Sequence, residues 1–180
     1  MPDPRLDLPL RTAADTAGDV QRVLGKLEAS QKNLKVIRVL ANSPSAFRPF
    51  VLMADGLLNR SPLPASVREV VILHLAGHLG VNYEWEEHVP MSEAAGVSKE
   101  QREALRDGTL DDLSLFSDEQ QLALRATDEI VDQRALSEES WQKACEMWDV
   151  EAALDLVLTV GWWGAFVPTI IQAVGLQDPN

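Results

Sequence analysis

All three histidines of the chain, His74, His78 and His88, fall within fifteen residues, and Glu69 and Glu84 stand close to them. His74 and His78 are four residues apart, as are Glu84 and His88. Each pair shares one face if the segment is helical. A helical hairpin would let all four converge. Three kinds of chemistry suit such a set. The first is proton transfer. Imidazole titrates near neutral pH, and a carboxylate beside it fixes its tautomer and raises its pKa. The second is metal binding, because two histidines at i and i+4 can ligate zinc, iron or nickel. The His74–His78 segment has no glutamate next to its first histidine, so it is not the zinc-protease motif. The third is structural, with histidine–glutamate pairs at helix ends or at a subunit contact. Spacing alone leaves all three open.

The elements that would position these residues are helices. Strand signals are scarce: there is one tyrosine, and β-branched runs are few. Val20, Val23, Leu24 and Leu27 mark one helix face, and Leu34, Ile37, Val39 and Leu40 a second, short helix. Asn42-Ser43-Pro44-Ser45 ends that element, with Ser45 the expected cap of a helix through Phe47, Phe50, Val51, Ala54 and Leu58. Arg60-Ser61-Pro62-Leu63-Pro64 is a break, and Pro64 suits a first helical position. An almost continuously apolar helix follows through Val67, Val70, Val71, Leu73 and Leu75, weakened at its end by Gly77 and Gly80. The next starts near Tyr83 and stops at Gly96. Ser98 with Gln101, and Ser117 with Gln120, read as capping boxes. Later helices are expected over 99–106, 118–133, 138–148 and 151–174. No repeat or composition break divides the chain, so residues 1–180 read as a single all-α domain.

The chain carries 16 Lys and Arg against 28 Asp and Glu, a net charge of −12. Affinity for phosphate backbones comes from lysine and arginine, so no nucleic-acid partner is expected. An anionic membrane surface is disfavoured for the same reason. The acidic excess lies in residues 84–155, which reads as solvated surface. The apolar stretch near Val157–Val174 is interrupted by Gly161, Gly164, Pro168 and Gln172, and reads as a buried helix rather than a membrane span. The start, MPDPRLDLPL, lacks the basic and apolar regions of a signal peptide. Cys145 is the single cysteine, so no internal disulfide forms. These features fit a cytoplasmic protein.

Arg68-Glu69-Val70-Val71-Ile72-Leu73, then Tyr83-Glu84-Trp85-Glu86-Glu87-His88, then Ala94-Ala95-Gly96 follow one another at a specific spacing. This pattern resembles the carboxymuconolactone decarboxylase family, which shares the alkylhydroperoxidase D-like fold. The resemblance is strongest over residues 60–106. The peroxidase branch uses a CxxC pair; aligned on Glu69 and His88, its cysteines fall on Val81 and Glu84. Thiol-based peroxide reduction needs a nucleophilic sulfur, so the chain is not expected to be a thiol peroxidase. The decarboxylase-like branch implies a lyase working without metal or organic cofactor on a small carbonyl or lactone compound. His88 would donate the proton, with Glu84 and Glu69 as the other catalytic candidates. Trp85 is the first choice for a pocket wall, ahead of Trp162 and Trp163. Tyr83, His78 and Arg68 are the further substrate contacts, with Arg68, Arg48 or Arg60 available for an anionic substrate. The resemblance also implies a homo-oligomer, a trimer or hexamer. Two alternatives stand beside this reading. One is a metal-dependent enzyme using the histidine cluster; the other is a non-catalytic binding or assembly protein of the same fold.

Overall fold

The computed structural model describes residues 8–30, 34–106, 110 and 113–176, and all regular structure among them is helical. The charged start of the chain at 1–7 and Asp178 lie outside the described residues. A 3₁₀ turn at Ala13–Asp15 leads into α1 (Gly18–Ala29), α2 (Lys35–Leu40) and α3 (Pro44–Asp55). A π-helical turn, Gly56–Arg60, extends α3. Then come α4 (Ala65–Leu79), α5 (Asn82–Ala94), α6 (Lys99–Leu105), α7 (Asp118–Gln133) and α8 (Glu138–Met147). The last helical run is α9 (Val150–Gly161), a second π-helical turn (Trp162–Phe166) and α10 (Val167–Val174).

The centre of the molecule is α4. Every residue from Val67 to Ala76 is buried, including the charged Arg68 and Glu69. A helix apolar all round must be enclosed by others. Each fully buried valine, leucine or isoleucine in it contributes about 1.5–3 kcal/mol. Gly80 closes α4 in the left-handed region at φ 63°, where glycine has no Cβ penalty. The Val81 N–H donates back to the Ala76 carbonyl at 2.9 Å. The chain thereby reverses within two residues, and α4 and α5 form an antiparallel hairpin. Gly77 does more than weaken the helix end: a Cβ there would meet the carbonyl oxygens of Leu105 and Arg106, so glycine lets the end of α6 pack against α4.

Three apolar clusters surround the hairpin. One joins α4 to α7 and α9 through Val71, Leu75, Ala123, Leu156 and Trp163. A second joins α1, α2 and α3 to α5 and α10 through Leu24, Val36, Phe47, Tyr83 and Ile171. A third lies on the other side of the hairpin and contains Leu73, Trp85, Val97 and Leu105.

Both capping boxes form, with Ser98 accepting from the Gln101 N–H and Ser117 from the Gln120 N–H. Several boundaries differ from the sequence expectation by one or two residues. Ser43, not Ser45, flanks α3, because Pro44 takes the first helical position, where its missing N–H costs nothing. Pro64 stands just before α4 rather than inside it. Val150–Val174 is long and apolar enough by length and composition to cross a membrane. It is buried along one side only: Leu156, Val160, Trp163 and Ile171 face the core, whereas Val150, Leu154, Leu158 and Phe166 are exposed.

Candidate active site

Glu69, Glu84 and His88 meet as expected. His88 Nδ1 lies 2.8 Å from Glu69 Oε2, across the hairpin from α5 to α4. On the other side of the ring, Nε2 is 3.5 Å from Glu84 Oε2, one turn earlier on α5. The first distance is a short charge-assisted hydrogen bond; the second is an ion pair too long for a good one. Nδ1 is therefore committed to Glu69, while the Nε2–H remains available to another acceptor. Glu69 Oε1 also accepts from Arg68 Nε at 3.2 Å. The order Arg68, Glu69, His88, Glu84 alternates in sign, and all four side chains are buried.

Burial opposes a charged imidazole, but the hydrogen bonds and negative charges of Glu69 and Glu84 outweigh it, and the His88 pKa is raised to about 9. The two carboxylates thus favour the protonated ring. Trp163 meets it edge-on, with ring centres 5.6 Å apart at 86°.

His88 and Glu84 lie on the wall of a cavity of about 600 Å³. Glu84, Glu87, His88 and Met91 face it from successive turns of α5, together with Tyr83. Phe50, Val51 and Ala54 of α3 and Leu58 of the first π-helical turn form another side. Trp162 and Trp163 of the second π-helical turn close it, with Val36 and Ile37 from α2. Single π-helical turns recur at functional sites, and here two of them border one cavity.

The Tyr83 hydroxyl accepts from the Val36 N–H at 3.2 Å and is also hydrogen-bonded to Glu87. Burial pushes the phenol pKa up, against the Val36 bond and with the negative charges of Glu87 and Glu84. Burial also raises the Glu87 pKa, although Tyr83 favours its charged form.

Several sequence expectations need correction. Glu69 does not line the cavity; it stands behind His88 and orients it. Arg68 is spent on Glu69 and does not line the cavity either. Trp85 faces the third apolar cluster and carries the Arg106 guanidinium 4.5 Å above its ring. Its neighbour Glu84 faces the cavity because consecutive helical residues point about 100° apart. Trp162 and Trp163 are the pocket tryptophans instead. His78 is exposed and does not line the cavity. Nine residues separate it from Glu69, about half a turn out of phase. His74 is buried on another side of α4, with Nε2 2.6 Å from Asp128 Oδ1 of α7. The expected convergence of His74 and His78 on His88 and Glu84 therefore does not occur. Among the described residues, no group of three or more His, Cys, Asp or Glu side chains is placed to hold a metal ion.

Glu87 was absent from the expected site. Its spacing of four from Tyr83 and three from Glu84 is the signal that would have found it. The acidic surface block likewise has an exception at Glu84, whose side chain is only 6% exposed.

No family model matches the chain, and no curated protein matches it in sequence. Solved structures do match. One is an uncharacterized peroxidase-related protein from Ralstonia eutropha JMP134 described as an alkylhydroperoxidase AhpD core. It is 18% identical, with 96% of this chain and 90% of that chain covered and a TM-score of 0.78. Another is an uncharacterized peroxidase-related protein from Silicibacter sp. TM1040. It is 16% identical, with 98% of this chain and 91% of that chain covered and a TM-score of 0.73. At such identities the likeness is one of fold, and a fold hosts many activities. Helix order, the central hairpin and both structural neighbours agree that this all-α chain has the alkylhydroperoxidase D-like fold.

Proposed function

We propose that the chain is an acid–base enzyme, a lyase acting on a small carbonyl or lactone compound by proton transfer and needing no organic cofactor. One observation carries this reading: an imidazole and a carboxylate stand side by side on a cavity wall, the imidazole braced from behind by Glu69. The His88 Nε2–H is the donor for a carbonyl oxygen. Glu84 is the base for the adjacent carbon. As Glu84 takes the proton, the C–H electron pair forms a carbon–carbon double bond and the carbonyl pair moves to oxygen. His88 neutralises that oxygen by hydrogen bonding or by giving up its proton. Reversing the steps returns the proton to carbon; where the neighbouring carbon carries a leaving group, the enolate pair instead forms the new double bond and the group departs with its bonding pair, which is the elimination of a lyase. Glu69 touches no substrate; it is a positioning residue that holds the ring and keeps its proton.

The neighbours are called peroxidase-related, but thiol chemistry is not the reading favoured here. Cys145, the single cysteine, lies on α8 and does not line the cavity. The test is deuterium incorporation. Ketones and lactones are incubated with the protein in heavy water, and exchange at the carbon beside the carbonyl is followed by NMR. Exchange above the buffer rate is expected, falling about 10²–10⁴-fold in Glu84→Gln and His88→Gln. Wild-type exchange no faster than buffer, with ligand demonstrably bound, would overturn the proposal.

A further inference from the structure

The cavity has a marked asymmetry of charge. Among the described residues it is lined by Asp55, Glu84, Glu87 and His88, besides the Tyr83 phenol, and by no lysine or arginine. Among the described residues, the cations beside it are already engaged. Arg68 lies off the cavity wall against Glu69. Arg60 pairs with Asp55 at 2.8 Å, where both side chains are about half exposed. Lys35 acts on Glu87 and is not a lining residue. Within the buried cluster the charges balance, Arg68 and His88 against Glu69 and Glu84. A carboxylate entering this space would meet Glu84 and Glu87, while the one cation among the described lining residues, His88, is already balanced by Glu69 and Glu84; burying an unpaired ion costs several kcal/mol.

The remaining surface is apolar. Phe50, Leu58 and Trp162 present a broad wall, and Phe50 stacks at a tilt on Trp162 with ring centres 4.8 Å apart. Polar groups are confined to the α5 wall and to Asp55 and Asn59, whose side chains bond each other at 2.9 Å in an exposed position. A cavity of about 600 Å³ is in the usual range for a small-molecule site.

We propose that this cavity binds uncharged, largely apolar carbonyl compounds, with the carbonyl oxygen at His88 and the hydrocarbon body against Phe50, Leu58 and Trp162, and that it rejects carboxylates. The inference rests on the acid–base reading for the placement of the oxygen. It departs from the family expectation of an anionic lactone acid, because the arginine that such a substrate needs is not on the wall. Specificity here is set by what the wall omits as well as by what it offers.

Binding is measured by calorimetry at neutral pH with three probes of matched length: methyl hexyl ketone, octanoate and octylammonium. The ketone is expected to bind at least about tenfold more tightly than octanoate, a gap of about 1.4 kcal/mol. It should also bind more tightly than octylammonium. In Glu87→Gln the gap between ketone and octanoate should narrow. Ala54→Trp fills the cavity and should abolish ketone binding; Val51→Trp serves the same purpose if the first variant fails to fold. Octanoate or octylammonium binding as well as the ketone would overturn the proposal. So would ketone binding too weak to detect, or ketone binding that survives in a folded cavity-filling variant. Failure of the acid–base reading is distinguishable: a ketone that binds as expected yet exchanges no deuterium leaves the substrate class standing and removes the chemistry.

Discussion

His88 is held between two carboxylates with different duties. Glu69 fixes the ring from outside the cavity, and Glu84 shares the cavity wall with it. In Glu69→Gln the hydrogen bond can persist while the charge is lost. The His88 pKa, followed by NMR, is expected to fall from about 9 toward its ordinary 6.5. The variant also leaves Arg68 buried without its anion, a loss of about 3–5 kcal/mol by the usual cost of breaking a buried pair. The same site makes stability depend on pH. The folded-state pKa of His88 is raised above the unfolded one, so protonation favours the folded chain. That stabilisation is fully present below about pH 6.5 and is lost as pH rises through about 9. Urea denaturation of the wild type should show this fall, and His88→Gln should flatten it. The Glu69–Glu84–His88 set was legible because spacing along a helix is enough to align Glu84 with His88, and the Arg-Glu and Tyr-Glu-Trp pattern supplied the partner. Trp85 misled because neighbours in sequence point about 100° apart on a helix, so Trp85 turns away from the wall that Glu84 lines. Glu87 escaped because an acid inside an acidic stretch reads as solvated surface, and only tertiary packing makes it a wall residue.

Helix limits were readable where a side chain performs the termination. Ser98 with Gln101 and Ser117 with Gln120 mark α6 and α7 because the caps are local chemistry. The close approach of α6 to α4 was not readable, since Gly77 looks like a helix weakener until the Leu105 and Arg106 carbonyls are seen above it. Gly77→Ala discriminates between these roles. Helix propensity alone would favour alanine by about 1 kcal/mol. The contact with backbone carbonyls, which cannot move aside as a flexible side chain would, costs about 1–3 kcal/mol as overpacking. The melting temperature is therefore expected to fall. The π-helical turns were also invisible in the sequence, because one added residue per turn barely disturbs an apolar pattern that short.

The whole molecule buries the Glu69–His88–Glu84 cluster and leaves apolar surface elsewhere. Val150, Leu154 and Leu158 stand one turn apart on the exposed face of α9, at 63%, 48% and 37% exposure. Patches of this kind mark contact surfaces in soluble proteins. A trimer or hexamer, as the family resemblance implies, needs such a surface. Leu154→Asp is expected to lower the mass measured by light scattering without changing ligand binding, because Leu154 is not a cavity residue. The all-α class was legible from helical periodicity, whereas the alkylhydroperoxidase D-like fold was legible only through the resemblance carried by the Arg-Glu and Tyr-Glu-Trp pattern. The burial of the last helical run was only half legible: composition reports how apolar a helix is, and packing decides which side of it is covered.

The second π-helical turn is in effect a phase offset written into one continuous helix. The Val167 N–H bonds the Trp162 carbonyl five residues back, so one residue more than an α-helical turn is accommodated. Before the offset, Leu156, Val160 and Trp163 address one apolar cluster; after it, Val167 and Ile171 address another. A single rod thus serves two cores, and the cavity lies beside the place where it changes allegiance. Deleting the exposed Ala165 would put both halves back in phase and rotate α10 by about 100° relative to α9. Circular dichroism should still report a helical protein, but Trp162 and Val167 could no longer border the same cavity, and ketone binding should disappear.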